Sequence, residues 1–409
     1  MIRARSVIVG IVLGLAICAV TPFNNMYLAA TPLGGGHFPL APFFILIVLT
    51  LAAALASRLF FRKKPVLTGL ELLVSWGFMV VVSGIAFTGL ARTFFINITA
   101  STHFATVGNR WKEIVAPLVP PAWMPSDPAA VETLYNGLEG GYRQGWLEVL
   151  ANIPWSAWTR PLAAWGVFIL LCYGVMVCLV NLFSRQWISN ERMNFPLLRV
   201  PAHMTEAYDQ GRAFGFFTDR YLLLGLCVPV LLHTINGIGF YDPAVPQVPT
   251  LFLIGPYFPS TGFFSGFNKL RIYFYPAFIG FAYLTARQIS LSFWVFYLLG
   301  GLLFGLFEVI GYQIPSSALG VTFGPTLTRP DETQMIGAYG VFFLFIVWLA
   351  RQHLFAAVRD AVTFRRSRAA ESEWMSAGLS FWGFLAGMIL LAAWCAYFGM
   401  PLAPALLLL

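Results

Sequence analysis

The chain alternates long apolar runs with short polar segments. Two of the runs are VIVGIVLGLAICAV at 7–20 and WVFYLLGGLLFGLFEVIGY at 294–312. A helix of about 20 apolar residues is long enough to cross the hydrocarbon core of a bilayer. The strands of a membrane barrel would instead alternate polar and apolar residues over about ten positions. The pattern therefore predicts an all-α fold, a polytopic transmembrane helix bundle.

The pattern predicts about nine membrane-spanning helices in one transmembrane domain, residues 1–409. The sixth is the shortest and contains Pro276. The predicted spans are residues 6–23, 40–60, 66–91, 161–184, 221–240, 272–286, 289–312, 334–350 and 376–398.

Two long segments between spans are not predicted to form continuous membrane-spanning helices. Residues 92–160 are predicted as an extracytoplasmic region with short helices, one of them beginning after Ser126 or Asp127. Residues 241–270 are apolar but contain five prolines, so they cannot form one continuous helix. Irregular backbone at membrane depth is tolerated only where protein buries it or where it lines a cavity. We predict a re-entrant or interfacial segment there, with an ordinary apolar outer loop as the alternative.

Composition and charge support a membrane location. Hydrophobic residues make up 58% of the chain and charged residues only 10%, against about 25% charged residues in a soluble domain. The net charge of +8 is not carried by a dense basic run with interleaved aromatic residues. We therefore expect the lipid bilayer, and no nucleic acid, as the partner of this chain.

The distribution of basic residues predicts the orientation. With a cytoplasmic N-terminus and nine alternating spans, 17 of the 25 Lys and Arg face the cytoplasm, as the positive-inside rule requires. Without the sixth span, the RRSR run at 365–368 would lie outside. The first apolar segment also fits a cleaved signal peptide, which is the alternative to a retained helix.

The chain carries none of the familiar catalytic or metal-binding motifs, so we predict no enzyme activity, no cofactor and no metal site. Ionisable residues within spans are costly and are therefore functional candidates. Glu308 is the first of these, as a proton carrier, with a structural or interfacial role as the alternative. Glu71 is expected to pair with Lys63 or Lys64. His233, within the fifth span, is either a proton relay or a partner of a neighbouring helix.

Polar residues at helix ends complete the set of candidates. Glycine and proline that interrupt hydrophobic segments are typical of broken helices at transport sites, and Asn24 and Asn25 precede the sequence TPLGGG. A capped external turn is the alternative there. The string NERMNFP predicts either an ion-paired gate or a simple loop. The candidates for substrate binding or coupling are Asn24, Asn25, Glu191, Arg192, Asn194, His233, Asn236 and Glu308.

Several strings spread over nearly the whole chain resemble one group of proteins. They are TPFNNMYLAATPLGGGHFPLAPF at 21–43, NRWKEIVAPLVPPAWM at 109–124, IPWSAWTRPLAAW at 153–165, RQWISNERMNFPLLRVP at 185–201, YPAFIGFAYLTARQISLSFWVFYLL at 275–299 and GAYGVFFLFIVWLARQHL at 337–354. The group consists of large bacterial membrane proteins of unknown function placed near the oligopeptide transporter (OPT) superfamily. Its members run on for further spans beyond the PLAPALLLL at which this chain ends. We therefore expect a half-length or C-terminally shortened relative.

The resemblance implies a proton-coupled secondary transporter for peptides or metal chelates, in the inner membrane of a bacterium. For this chain the substrate is an unidentified small molecule, and a homo-oligomer is left open. Two alternatives remain at this point. One is a non-catalytic membrane subunit of a larger complex, and the other is a membrane-embedded enzyme that acts on a lipid-linked substrate through residues 92–160.

The orientation can be tested by cysteine labelling on a cysteine-free background. Cysteines placed at the N-terminus and in the loops at 58–65, 185–220 and 351–373 should resist a membrane-impermeant reagent applied from outside, because these segments hold most of the basic residues. Labelling of 365–368 from outside would contradict the nine-span topology.

Overall fold

The chain is predominantly helical. The computed structural model describes residues 3–28, 31–34, 39–59, 65–192, 195–312, 330–363 and 375–409. Its helices are α1 (Ala4–Pro22), α2 (Leu40–Leu59), α3 (Gly69–Gly84), α4 (Phe95–His103), α5 (Trp111–Ile114), α6 (Pro128–Asn136), α7 (Trp146–Asn152), α8 (Trp155–Arg185), α9 (Pro196–Asp209), α10 (Ala213–Phe217), α11 (Arg220–Tyr241), α12 (Pro276–Leu284), α13 (Arg287–Val309), α14 (Pro330–Val362), α15 (Ala377–Tyr397) and α16 (Leu402–Leu408).

Shorter elements join these helices. Turns of π-helix occupy Phe23–Tyr27, Ile85–Phe94 and Gln186–Asn190, and single 3-10 turns occupy Ala116–Leu118, Pro121–Trp123, Gly141–Arg143, Gly255–Tyr257 and Ser265–Phe267. In the described part of the chain, the strands β1 (Leu251–Leu253) and β2 (Arg271–Tyr273) form one antiparallel pair, in which Phe252 is opposite Ile272.

Eight helical stretches within the described residues are long and apolar enough to cross a membrane, which confirms the predicted bundle. They are Ala4–Tyr27, Leu40–Leu59, Gly69–His103, Trp155–Ile188, Arg220–Tyr241, Arg287–Val309, Gly337–Val362 and Ala377–Tyr397. Large apolar side chains point outward along them, such as Leu224 on α11 and Phe293 on α13. In water such an apolar surface would cause aggregation, whereas lipid tails solvate it well. The chain is an integral membrane protein.

The sixth predicted span is not among these eight helices. Residues 272–286 are all described, and the one helix within them is α12, nine residues long. It measures about 14 Å at 1.5 Å per residue, against a hydrocarbon core of about 30 Å. Thr285 and Ala286 are extended and separate α12 from α13. If eight helices cross the membrane in alternation, residues 365–368 lie on the side opposite the N-terminus, against the charge distribution. The labelling experiment above decides between the nine-span and the eight-span topology.

Two other expectations about the connecting segments are confirmed. Residues 242–270 form no continuous helix, and β1 is the first regular element within them. The re-entrant placement of 241–270 stays a prediction. Within residues 92–160, Asp127 caps α6 by accepting the Ala129 amide at 2.9 Å, with Pro128 in the first turn. The third long helix is longer than expected and continues through a π-helical stretch to His103.

Contacts group the chain into two compact units, and the expectation of one transmembrane domain stays a prediction. Unit 1 comprises Met1–Gly89 and Asn194–Gln334, and unit 2 comprises Leu90–Met193 and Met335–Leu409.

In unit 1, α1 and α3 pack along a seam of small residues. The Ser75 hydroxyl donates to the Ser6 carbonyl at 2.8 Å. A β-carbon on Gly10 would come within 3.0 Å of the Ser75 backbone, and one on Gly14 within 3.3 Å of Val82. Small residues spaced by four allow such close approach between membrane helices. Because the contact partners advance together along both helices, α1 and α3 run in the same direction.

Glu71 anchors this seam at the start of α3. Its side chain is 1% exposed and accepts two bonds from Arg5, Nε to Oε1 at 2.9 Å and Nη2 to Oε2 at 2.6 Å. It also accepts the Thr68 amide at 2.8 Å, completing a capping box at the helix start. The partner of Glu71 is thus Arg5, whereas Lys63 and Lys64, the expected partners, lie outside the described residues.

Residues 242–270 of unit 1, here called the irregular segment, pack closely on α13. A β-carbon on Gly305 would collide with the Phe263 carbonyl, and one on Gly266 with the Gly301 carbonyl. Gly301 lies about 12 Å from the end of α13 at Val309, at 1.5 Å per residue. The non-helical backbone therefore contacts a part of α13 well inside its apolar length, which is the protected position that a re-entrant segment needs.

In unit 2, α8 and α15 form the main helix pair. A β-carbon on Gly383 would lie 2.8 Å from Cys178 Sγ. Asn181, 4% exposed, donates to the Ser380 hydroxyl at 2.6 Å and to a carbonyl at the start of α15. Near the far end of this pair, the ring of Trp394 stacks on that of Trp123 with centroids 5.3 Å apart.

The close packing of the irregular segment on α13 can be tested with two neighbouring glycines. Gly305→Ala should lower the melting temperature of the purified protein, because the Phe263 carbonyl occupies the position of the new methyl group. We expect a loss of about 1–3 kcal/mol, typical of overpacking. Gly300→Ala is the matched control, since nothing lies within 4 Å of its β-carbon position. It should stabilise the helix by up to about 1 kcal/mol. Equal effects of the two substitutions would contradict this packing.

Candidate binding site at the helix breaks of unit 1

The first transmembrane helix ends in a break at Pro22. Proline has no amide hydrogen, so position 22 cannot donate a helical bond to the carbonyl of Cys18. The chain then forms a π-helical turn over Phe23–Tyr27, in which the Leu28 amide donates to the Phe23 carbonyl at 3.0 Å. Single π-turns inserted in helices occur frequently at functional sites. The predicted candidates Asn24 and Asn25 both lie within this turn.

The side chains of the two asparagines are hydrogen-bonded to each other, but the amide donor of Asn25 is unused. Asn24 Nδ2 donates to Asn25 Oδ1 at 2.7 Å and to the Thr31 carbonyl at 2.8 Å. Asn25 Nδ2 is buried and has no hydrogen-bond partner among the residues that the structure describes. Leaving a buried donor unsatisfied costs about 1–3 kcal/mol. Such a cost is readily explained if a ligand or water accepts the bond.

A second break lies at the same level of the neighbouring helix. Cys18 Sγ is 3.5 Å from the Val82 carbonyl, and the second π-helical stretch begins just beyond it, at Ile85. Because α1 and α3 are parallel, both helices leave regular α-geometry side by side. The loop after the first break returns to this level, since Gly34 packs directly on the backbone of the fully buried Ser83.

We call Asn24, Asn25, Thr31, Gly34 and Ser83 the asparagine break. Its side chains are neutral, and Glu71 is the first acidic residue of the chain. An apolar cavity of about 440 Å³ adjoins it at Thr31, and Ile17 and Phe44 are among its walls. The arrangement offers amide hydrogen-bonding groups beside an apolar surface. It can bind a small molecule that carries both a hydrogen-bond acceptor and an apolar part.

Asn236 has a structural role, whereas His233 forms no side-chain hydrogen bond or ion pair within the described residues. Asn236 donates to the Val248 carbonyl at 3.0 Å and accepts the Val248 amide at 2.7 Å. It therefore ties α11 to the irregular segment as another strand would. His233 is exposed on α11, three residues away from Asn236. The structure does not bring either residue to the asparagine break.

The predicted gate residues do not form an ion pair with each other. Glu191 accepts a bond from Gln186 Nε2 at 2.9 Å. Arg192 is exposed, with a left-handed backbone at φ 48°, and the ion pairs among the described residues do not join it to Glu191. Asn194 lies outside the described residues.

Glu308 is exposed near the end of α13. Its backbone carbonyl accepts the Gly311 amide at 3.0 Å, within the turn that ends the helix. Within the described residues, no ion pair joins its carboxylate to an arginine. The role of a proton carrier and the structural or interfacial alternative therefore both stay predictions.

Sequence reasoning missed two polar residues inside the helices of unit 2. Asn181 Oδ1 is a second buried polar atom without a partner, and the Nε2 atom of His353 is 2.8 Å from the Leu182 carbonyl. An asparagine within the apolar run CLVNLF could have been singled out by the same rule that selected Glu308. Within the described residues, no cluster of three or more His, Cys, Asp or Glu could hold a metal ion.

The fold and these breaks define a polytopic helical membrane protein with a polar interruption in its first transmembrane helix. The chain belongs to DUF6785, a family of unknown function, whose model matches residues 1–409. No curated protein and no solved structure matches the chain.

Proposed function

We propose that this protein is a secondary transporter and that the asparagine break is part of its substrate site. The observation that carries the proposal is the Asn25 amide, buried without a partner in a π-helical turn of a membrane-spanning helix. In discontinuous helices of transporters, substrate groups bind to polar atoms that the break exposes. The resemblance to the OPT group supports the same reading.

The two adjacent π-helical stretches suit the movement that transport requires. A π-turn relaxes the regular hydrogen-bond ladder, so the helix can bend there at a smaller cost than in a regular α-helix. With both breaks at one level, the ends of α1 and of the third helix can move together around a bound solute. The seam of Ser6, Gly10 and Ser75 would remain fixed, because the backbones of α1 and α3 are in direct contact there.

The chemistry of the break indicates the class of substrate. An amide offers hydrogen bonds without a net charge, and the adjoining cavity is apolar. We therefore propose a small amphipathic solute with a hydrogen-bond acceptor, a class that includes short peptides. Proton coupling, which the resemblance implies, would need an ionisable group other than those of the break.

The proposal is tested by finding the solute and then altering Asn25. Metabolite profiling of a deletion strain against its parent should identify a depleted or accumulated solute, and uptake of that labelled solute is then measured in proteoliposomes. Asn25→Ala should reduce uptake about tenfold, which corresponds to one lost hydrogen bond of about 1.4 kcal/mol. Asn25→Asp keeps the oxygen that accepts from Asn24 but loses the free donor, so it should lose uptake as well.

Asn97→Ala is the control, because Asn97 is exposed and bonds only the Thr93 carbonyl of its own helix. Its uptake should equal that of the unmodified protein. Full uptake by a folded Asn25→Ala variant would remove the asparagine break from the mechanism. The absence of any solute difference in the deletion strain would count against transport itself.

A further inference from the structure

A second cavity of unit 1 lies between the end of α2, the short helices α9 and α10, and the start of α11. Its volume is about 950 Å³, within the usual range of roughly 300–1,000 Å³ for small-molecule sites. Part of its wall is apolar, and Phe214 and Leu222 belong to that part. The polar part comprises Ser57, Arg58, His203, Tyr208, Asp209, Arg212 and Asp219.

The two arginines of this cavity have no carboxylate partner among the described residues. The Arg58 guanidinium lies over the ring of Phe214, 5.4 Å from its centroid. Arg212 donates to the neutral Gln210 side chain. Neither guanidinium group therefore forms an ion pair within the described residues, and each retains donors that can bind a planar or tetrahedral oxyanion.

The two aspartates of the wall are already engaged with backbone amides. Asp209 Oδ1 accepts the Gly69 amide at 2.6 Å, at the first residue of α3. Asp219 Oδ1 caps α11 by accepting the amides of Tyr221 and Leu222 at 2.9 and 3.2 Å. Their negative charge is directed at helix N-termini, where it is stabilising. The aspartates therefore hold the starts of α3 and α11, and within the described residues neither forms an ion pair with an arginine of the wall.

Tyr208 supplies an independent indication of a ligand. Its side chain is 6% exposed and belongs to the cavity wall. Its hydroxyl is buried and finds no hydrogen-bond partner in the described part of the chain. Since buried hydroxyls are nearly always bonded, a free one at a cavity that also holds two unpaired arginines points to a ligand oxygen that accepts from all three.

We propose that this cavity binds a phosphate-bearing anion. Arg58, Arg212 and the Tyr208 hydroxyl would donate to the phosphate oxygens, and the apolar wall would contact the carbon part of the molecule. The cavity lies where α2 ends and α11 begins, at the ends of two membrane-spanning helices. That position fits a phospholipid headgroup, and a soluble organic phosphate offers the same chemistry. The site is separate from the asparagine break and does not depend on transport.

The test measures binding to the full-length protein in a neutral detergent. The probes are dioctanoyl phosphatidylglycerol, dioctanoyl phosphatidylcholine and glycerol 3-phosphate, each titrated while the melting temperature and the bound mass are recorded. Arg58→Gln and Arg212→Gln should each weaken the binding of phosphatidylglycerol at least tenfold. Tyr208→Phe should weaken it severalfold without lowering the melting temperature of the ligand-free protein, because the hydroxyl it removes bonds no protein atom.

Arg199→Gln is the matched control, since Arg199 is an exposed arginine of α9 outside the cavity wall. Its affinity should stay within twofold of the unmodified protein. Preference for phosphatidylglycerol over both other probes supports a lipid headgroup, and equal arginine-dependent binding of glycerol 3-phosphate supports a soluble phosphate. Equal affinity for phosphatidylcholine, an equal loss in Arg199→Gln, or no binding of any probe would overturn the proposal.

Discussion

One physical constraint shapes the structure. In the hydrocarbon core of a bilayer, every backbone amide and carbonyl must form its hydrogen bond within the protein. Most of the chain satisfies this constraint with helices. The segment between α11 and α12 contains prolines that interrupt regular structure, and its backbone is held in other ways. Asn236 takes both backbone bonds of Val248, the strands β1 and β2 pair with each other, and the carbonyl of Phe263 packs against Gly305.

The same constraint explains where charge is buried. At the start of α3, the Thr68 amide bonds Glu71 and the Gly69 amide bonds Asp209. Helix N-termini leave such amides without intrahelical partners. Glu71 in turn holds Arg5, which fixes the beginning of α1. A buried carboxylate without a partner would be costly, so this small network sets the register of α1, α3 and α9 in unit 1.

Eight of the nine predicted spans coincide with a long apolar helix of the described residues, because the length of an apolar run is what makes a helix long enough to cross a bilayer. The apolar pattern was not sufficient at 272–286, where composition is apolar but two extended residues stop the helix. Candidate chemistry was harder to predict. Asn25 could be selected from its place before TPLGGG, whereas the role of Asn236 depends on Val248, twelve residues away, and that of Glu71 depends on Arg5. Partners of this kind are set by tertiary packing, which leaves no local pattern.

The functional account depends on one side-chain donor, the Nδ2 atom of Asn25. It lies in the π-helical turn that follows α1, and it is buried without a hydrogen-bond partner among the described residues. The most direct measurement is an experimental structure of the protein in lipid nanodiscs, solved with and without the solute that metabolite profiling identifies. The account predicts no protein acceptor within about 3.2 Å of Asn25 Nδ2, and density for water or solute at that distance. A protein oxygen bonded to Nδ2 in both states would contradict it.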